Sequence, residues 1–467
     1  TLSWCGVLNE SAAAMIETMT EGKPRKDPPH RIVVSGVGCT SSYAASAEEL
    51  VRNIAAGEVV DYQPAIRDDR ILTATGLTFN PLHAGLPDAV VAEAEGSVAR
   101  RTGDARKFSD ARTALLADIS LAAAQDAGLT REDMRASDFG VFWGSPGNQP
   151  AIEDYLAYAH ANDDLDLWFS PSIRNLHCAS FRQDTLTAEY ADFFQLAAPI
   201  CTLFSACSSS LSALLLATRK ISQGKLKRAL VLCFQEVTLF DILFLAGLNI
   251  LSREVGLPFC KSTDGISLGY GIGGVIVERE DACREREADP YFAVRHITGG
   301  RGFSGSVTSP GMSVPFRSIS QSIEAVLSES GLAPRDIDCI FPHGNGIRAN
   351  DQAEEMAMEK LFGEAGRPPI SNYTYQTGYL LSASGVFDLI MAADVYRNNR
   401  ILPFVSKEPI EHNESLRFLQ RPSSEKQGEK QGEKQAKTES LSTEVNHLLK
   451  TCIGIDGSIV NCVLERV

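Results

Sequence analysis

The chain has 467 residues, 44% of them apolar and 22% charged, with 44 Lys and Arg against 59 Asp and Glu for a net charge of −15. That length accommodates about three average domains or fewer large ones, and the apolar content excludes a disordered or collagen-like chain. The acidic balance argues against nucleic acid and membrane as partners, since nucleic acids and anionic lipid surfaces both reward positive charge.

Eleven cysteines run from Cys5 to Cys462 without a CxxC pair or a repeated spacing, so neither a disulfide framework nor a zinc site is expected. The apolar runs, such as 229–234, fall far short of the roughly 20 residues of a membrane span. The first thirty residues hold Glu10, Glu17 and Glu21 and do not read as a secretory signal. A soluble, cytoplasmic protein is expected.

An opening segment, 1–30, contains a short helical stretch, AAAMIETM, and ends in the proline-rich KPRKDPPH. RIVVSGVG then reads as a buried strand entering a glycine turn, followed by a helix over 45–55. Strand-like runs recur at FGVFWGS, RALVLCF, GGVIVERE and CIFPHGNG, and helical spacing recurs over 111–127, 211–223, 351–362 and 386–398. This alternation predicts an α/β protein with a buried sheet. One segment departs from it: 423–437 reads SSEKQGEKQGEKQAK, a polar repeat that cannot bury enough surface to offset its ordering entropy, within a flexible insert placed at 422–445. Five Glu and five Lys between Pro422 and Lys450 cancel, so the −15 belongs to the rest of the chain.

The stretch CTLFSACSSSLSALLLATRKISQGK carries the first chemistry. An apolar run reaches Cys207, and Leu211, Leu214, Leu215 and Thr218 then share one face of a helix that Gly224 can end. Cys207 therefore sits on a turn at a helix N-terminus, where unpaired N–H groups and the helix dipole lower a thiol pKa and can hold an oxyanion. The turn alone is equally consistent with one more buried thiol.

SACSSS resembles the nucleophile motif of the β-ketoacyl synthases, condensing enzymes of the thiolase superfamily. The resemblance continues in order through the chain: RIVVSGVGCTSS and its helix, FCKSTDGISLGYGIGGVIVE, PHGNGIRANDQAEEMAM, SNYTYQTGYLLSASG and CIGIDGSIVNCVL. It implies a thiolase-like α/β fold of two similar halves layered α-β-α-β-α, expected at 31–288 and 289–467, although no internal repeat is legible. It also implies that Cys207 accepts an acyl group from a phosphopantetheine thioester, and that His343 donates a hydrogen bond to a thioester carbonyl or handles a proton. Cys207, Gly454, Ile455 and Gly457 would form the oxyanion hole and gating loop, and Asp351, Glu354, Thr374 and Gly378 would support the active-site loops. Asp351 and Glu354 also stand where helix N-terminal carboxylates are favoured.

The departures from the family pattern bear on mechanism. Where the usual decarboxylating enzymes carry a Gly-His pair, this chain has Gly378 and Tyr379; their lysine position is Thr374; their gating phenylalanine is Ile455, followed by Asp456; and the aspartate of their PFD stretch is Cys260. Tyr379 either donates to an oxyanion in place of the imidazole or fills the vacated space. Three activities follow: condensation of acyl-Cys207 with a second carrier-bound substrate, a non-decarboxylating acyl transfer or cyclisation, or service as a chain-length-factor-like partner subunit, against which Cys207 counts. An acyl carrier protein is the expected partner, with no bound cofactor and no metal, in a homodimer or in a heterodimer with another ketosynthase-like chain. Arg100, Arg101, Arg106 and Lys107 lie where the resemblance puts carrier docking, and Arg219, Lys220, Lys225, Lys227 and Arg228 form a second basic cluster.

Overall fold

In the computed structural model, described at residues 30–147 apart from 68, 70, 71, 74 and 75, and at 183–301, 314–410, 415–422 and 440–467, eleven strands form one sheet. In chain order they are β1 (Ile32–Ser41), β2 (Phe139–Gly144), β3 (Cys201–Leu203), β4 (Arg228–Gln235), β5 (Gly271–Arg279), β6 (Phe292–Arg301), β7 (Cys339–Phe341), β8 (Pro369–Ile370), β9 (Arg417–Phe418), β10 (His447–Ile453) and β11 (Ser458–Glu465). Their spatial order is β9-β8-β7-β10-β11-β6-β1-β5-β4-β2-β3.

That order contains a duplication. From β1 outward, β5 and β4 follow antiparallel, then β2 and β3 parallel. From β6 outward, β11 and β10 follow antiparallel, then β7 and β8 parallel. The two five-strand units meet only where Val33 faces Ala293 and Val34 faces Phe292. The first unit ends at Arg279 and the second begins at Phe292. What recurs is strand order and direction, which many residue combinations satisfy, so the repeat leaves no trace in residue identity.

The helices of ten residues or more are α1 (Ala47–Ala56), α2 (Asp88–Thr102), α3 (Ala111–Asp126), α4 (Gln183–Phe194), α5 (Ser209–Ser222), α6 (Phe316–Ser330), α7 (Arg348–Phe362) and α8 (Ser384–Asn398). Their composition sorts them into layers. Nearly every residue of α8 from Gly385 to Tyr396 is buried, as a helix that is apolar all round must be. It lies with α5 between the two sheet units, α5 touching β2 and β4 on one side and β6 and β11 on the other. The α6 helix buries only the stripe Ile319, Ser320, Ile323, Val326, Leu327 and Ser330, and covers the outer face of β6 and β11 with α7 beside it. On the opposite outer face α3 covers β1 and β5. Helix, sheet, helix, sheet, helix is the layering of a thiolase-like fold.

The predicted helices over 111–127, 211–223, 351–362 and 386–398 are α3, α5, α7 and α8, with ends shifted by a few residues. CIFPHGNG is strand only to Phe341, because Pro342 has no N–H for the ladder and Gly344 and Gly346 take positive φ. The apolar run before Cys207 yields only the three-residue β3 at the sheet edge. The AAAMIETM stretch lies outside the described residues, as does 423–439 of the polar insert. Beyond it Leu441–Ser442 pairs with Arg400–Ile401 and Val445 is fully buried, so the chain is packed again before 445. No helix among the described residues is long and apolar enough to cross a membrane.

The seat of α3 on β1 depends on glycine. A Cβ at Gly36 would stand 2.2 Å from the Ala123 carbonyl oxygen and 2.6 Å from the Ala127 nitrogen, both backbone atoms that only a shift of the helix can move. Gly36→Ala is therefore expected to destabilise the protein by about 1–3 kcal/mol, the usual cost of overpacking, read as a lower urea midpoint at unchanged slope.

Candidate active site

Cys207 is placed by a strained turn. Between β3 and α5, Ala206 takes φ +43°, and Ser208 and Ser209 donate back to the carbonyls of Ser205 and Ala206 at 2.9 and 3.2 Å. The Ser209 hydroxyl closes the turn by accepting from Ser205 N–H at 2.9 Å and donating to the Ala206 carbonyl at 2.7 Å. A left-handed non-glycine residue ahead of a functional side chain is strain that the surrounding packing must hold. The thiol is 2% exposed. Its own N–H and that of Ile455 point at it, as does the Tyr379 hydroxyl.

Ile455 arrives on the hairpin between β10 and β11. Gly454 donates to the Ser458 carbonyl at 2.8 Å and Gly457, at φ +81°, donates to the Gly454 carbonyl at 2.9 Å. The Asp456 carboxylate is tied to Ser458 N–H at 3.1 Å and to the Ser458 hydroxyl at 2.5 Å, and Ser458 bonds Ser208 beside Cys207 at 2.7 Å. The hairpin is thereby fastened to the cysteine turn.

Tyr379 is 1% exposed. Its backbone joins the edge of Ser267–Gly269: its N–H donates to the Ser267 carbonyl at 2.8 Å and its carbonyl accepts from Gly269 at 3.0 Å. This approach needs Gly378, whose φ is +75° and whose Cβ would stand 2.8 Å from Gly269 Cα. The phenol oxygen lies 3.2 Å from His343 Nε2, and the two rings meet edge to face at 5.7 Å. One hydroxyl thus touches both the thiol and the imidazole.

His343 belongs to a loop, 342–346, that crosses the interior without regular structure, and carboxylates on α7 hold it. Glu354 accepts from the N–H groups of His343 and Gly344 at 2.7 and 2.9 Å. Asp351 accepts from Phe259, Asn345 and Gly346 at 2.9, 3.0 and 3.1 Å. Thr374 and Asn372 donate to the Gly344 carbonyl, each at 3.0 Å. Burial pushes both carboxyls up to about 7, while these amide donors pull the other way. Asp351, Glu354 and Thr374, expected as loop support, contact the 342–346 loop, and Gly378 adjoins Tyr379.

Sequence models of the β-ketoacyl synthase N-terminal and C-terminal domains match residues 30–282 and 302–407. The chain belongs to the β-ketoacyl synthase family. That is a family of condensing enzymes, in the transferase class. The chain is 24% identical over 410 residues to a protein named as a polyketide β-ketoacyl synthase in Streptomyces halstedii, covering 85% of this chain and 93% of that one. It is 28% identical over 313 residues to a highly-reducing polyketide synthase of Aureobasidium melanogenum, covering 65% of this chain but 14% of that much longer one. Among solved structures, a Streptomyces albus oxazolomycin ketosynthase domain superposes with TM-score 0.72 at 20% identity, over 94% of this chain and 75% of that one. The ishigamide ketosynthase/chain length factor gives 0.71 at 18%, over 94% and 99%. A type II polyketide ketosynthase solved in complex with its acyl carrier protein gives 0.70 at 17%, over 94% and 100%. These structures share the fold.

Three residues of this ketosynthase-family site carry contacts that the sequence reading did not assign. Asn345 donates from Nδ2 to His343 Nε2 at 3.2 Å. Lys450 on β10 is 1% exposed; its Nζ donates to the Pro342 carbonyl at 2.9 Å and pairs with Asp388 of α8 at 2.6 Å. A lone lysine inside HLLKTCI and an aspartate within the apolar run VFDLIM were the available signals, since a buried charge requires a partner. Burial and the Lys450 charge together push His343 down to about 3, so its ring is neutral.

The basic clusures of charge expected for docking are largely internally paired: Arg100 with Glu93, Arg101 with Asp118, Arg106 with Asp192 and Lys107 with Glu95. In the second cluster Lys227 pairs with Glu285 and Arg228 with Glu278.

The thiol differs from the expectation of a lowered pKa. Burial pushes Cys207 up to about 11, and the Tyr379 hydroxyl and the Ile455 and Cys207 amides only partly offset it. Iodoacetamide alkylation of Cys207 is therefore expected to accelerate about tenfold per pH unit through the neutral range and to level off only near pH 11. Tyr379→Phe removes one stabiliser of the thiolate and should slow alkylation at every pH below the plateau. An unchanged rate profile in this variant would separate the phenol from the thiol.

Proposed function

We propose that this chain is an acyl-thioester condensing enzyme of fatty-acid or polyketide-type biosynthesis. It takes an acyl group from the phosphopantetheine of an acyl carrier protein onto Cys207 and condenses it with a second carrier-bound substrate. The observation that carries this reading is the convergence on one buried sulfur of two backbone N–H groups, from Cys207 and Ile455, and of the Tyr379 hydroxyl that also bonds His343.

The thiolate of Cys207 attacks the thioester carbonyl, and the developing oxyanion is held by the N–H groups of Cys207 and Ile455. Collapse of the adduct expels the pantetheine thiolate, which takes up the proton that the cysteine lost, and leaves acyl-Cys207. A covalent thioester divides acyl transfer into two easier steps. For condensation, loss of carbon dioxide from a malonyl-type second substrate leaves an enolate, whose carbon attacks the acyl carbonyl as the C–S bond breaks and Cys207 leaves as a thiolate that takes up a proton.

A non-decarboxylating acyl transfer or cyclisation through the same acyl-Cys207 is the second reading. It is favoured by the Asn345 amide, whose Nδ2 can only donate and faces His343 Nε2, which leaves that atom no N–H to offer an enolate. A chain-length-factor-like role needs no nucleophile, and the strained turn built around Cys207 weighs against it.

A second ketosynthase-like copy or chain is the proposed subunit partner. β3 is the edge strand of the sheet and runs into Phe204, which is 69% exposed; an edge with an exposed aromatic beside it is a template for pairing. The nine described cysteines are free thiols, which supports a reducing, cytoplasmic setting.

Incubation with acyl carrier thioesters is expected to add one acyl mass to the protein and none to Cys207→Ala; absence of an adduct with every donor would reject both enzyme readings. Release of carbon dioxide from malonyl carrier protein separates condensation from plain transfer. For docking, exposed ion pairs contribute little and exchange readily, so Arg106 and Lys107 remain able to meet an acidic carrier. Reversing both charges is expected to slow acylation from the carrier by about tenfold and to spare a small acyl thioester. Equal loss with the two donors would reject this docking surface.

A further inference from the structure

The acyl chemistry above does not use the second nitrogen of the His343 ring. Nδ1 is buried and has no hydrogen-bond partner among the described residues. His343 is one of the residues lining a cavity of about 30 Å³, together with Thr374, Ser384 and Asp388. That volume has room for a water molecule or two. The Ser384 hydroxyl on the same wall is likewise buried without a partner among the described residues. Asp388 keeps 21% of its side-chain surface accessible although it lies in the central helix layer, as a group bordering a cavity does.

The tautomer of the ring follows from its other side. Asn345 Oδ1 accepts from the Ile347 N–H at 3.0 Å, which fixes the orientation of the amide and leaves Nδ2 to face His343 Nε2 at 3.2 Å. Nδ2 can only donate, so Nε2 must present a lone pair. In a neutral imidazole the single proton then sits on Nδ1. A buried N–H of this kind needs an acceptor, and the nearest charged acceptor on the cavity wall is the Asp388 carboxylate, held there by Lys450 Nζ at 2.6 Å.

We propose that Asn345, Asp388 and Lys450 are positioning residues that hold His343 as the Nδ1–H tautomer, its N–H reaching Asp388 through water in the cavity and its bare Nε2 turned on Tyr379 and Cys207. The inference rests on the reading of Cys207, Tyr379 and His343 as the acyl-transfer site. It makes His343 a proton acceptor there: the Tyr379 proton moves to Nε2 as the Cys207 proton moves to the phenol oxygen, giving a thiolate and an imidazolium. When the thioester adduct collapses, the expelled pantetheine thiolate recovers that proton through Tyr379, so no proton is gained or lost overall. The groups that face the ring during this step are Asp388 from α8, Lys450 from β10, Glu354 from α7, and Tyr379 and Cys207 from their loops. Asp388, relayed by the water, lies on the Nδ1 side of the ring; burial pushes its carboxyl up, and the Lys450 charge and hydrogen bond pull the other way and hold it in place.

The test reads the tautomer directly. The chain has eight histidines, and selective ¹⁵N labelling of them, with His343 identified by the signal lost in His343→Gln, distinguishes a protonated from a bare ring nitrogen. The native protein is expected to show a protonated Nδ1 and a bare Nε2 throughout pH 6–8; an Nε2–H tautomer overturns the proposal, and this measurement needs no further variant to fold. The double variant Asp388→Asn with Lys450→Met removes both partners of the buried pair together, so neither is left facing the other's vacated place. It is expected to shift the signal toward Nε2–H and to slow acylation of Cys207 by about tenfold or more, within the range ascribed to general-base assistance. A folded double variant with native tautomer and native acylation rate also overturns it. The Nδ1–H tautomer in a protein whose Cys207 accepts no acyl group leaves the positioning inference standing and removes the acyl-transfer reading.

Discussion

The loop from Pro342 to Gly346 runs through the protein interior with neither a strand nor a helix to receive its N–H groups. A buried donor left unmatched costs about 1–3 kcal/mol, and four consecutive ones would exclude the conformation. Glu354 and Asp351 remove that cost by accepting from His343, Gly344, Asn345 and Gly346. Both lie in the first two turns of α7, whose later residues Ala357, Met358 and Phe362 are packed into the outer core beneath α6. Packing of an apolar helix face thus determines where two carboxylates stand, the carboxylates determine the path of a loop, and the loop determines where one imidazole points. Tyr379 and Ile455 are aimed at the same place by independent means, the edge of Ser267–Gly269 and the β10–β11 hairpin.

Bringing Asp351, Glu354 and Asp388 inside creates a charge problem that the amide donors do not solve alone. Lys450 is the buried cation among them, bonded to Asp388 and to the carbonyl that immediately precedes His343. Such a buried pair contributes little net stability compared with apolar residues of the same size, but removing one partner strands the other. Its structural effect is connection: one ammonium group ties a strand of the second sheet unit, the central helix α8 and the histidine loop together. A neutral ring beside that ammonium is the electrostatically cheaper state, which agrees in direction with the depressed His343 pKa.

How much of this was legible in the sequence depended on distance along the chain. The apolar spacing of 111–127 and 386–398 is a local signal and identified α3 and α8. The strand, turn and helix around Cys207 are equally local, and PHGNG followed by acidic residues marked the histidine loop. What escaped were contacts between remote residues: Lys450 reaches Pro342 across 108 positions, and no periodicity rule joins them. The raised thiol pKa escaped for a related reason. A helix N-terminus can be read from a turn, whereas the desolvation that outweighs it comes from Ile242, Leu245, Leu268 and Tyr379, which assemble around Cys207 only in the folded protein.

The direction of these shifts constrains the proposed chemistry. Burial pushes the Cys207 thiol and the Tyr379 phenol up and the His343 imidazole down, so each of the three groups is biased toward its uncharged form. A site in that state has no fixed ion to solvate at the reacting sulfur and is suited to receive an uncharged thioester. In the proposed reaction charge develops as the carbonyl is attacked, on the oxygen that the Cys207 and Ile455 amides would meet. Interactions that strengthen only as that charge develops lower the barrier without tightening the ground state. The high thiol pKa is then not an obstacle that the site failed to remove. It keeps the nucleophile protonated until substrate, phenol and imidazole are in line to take its proton.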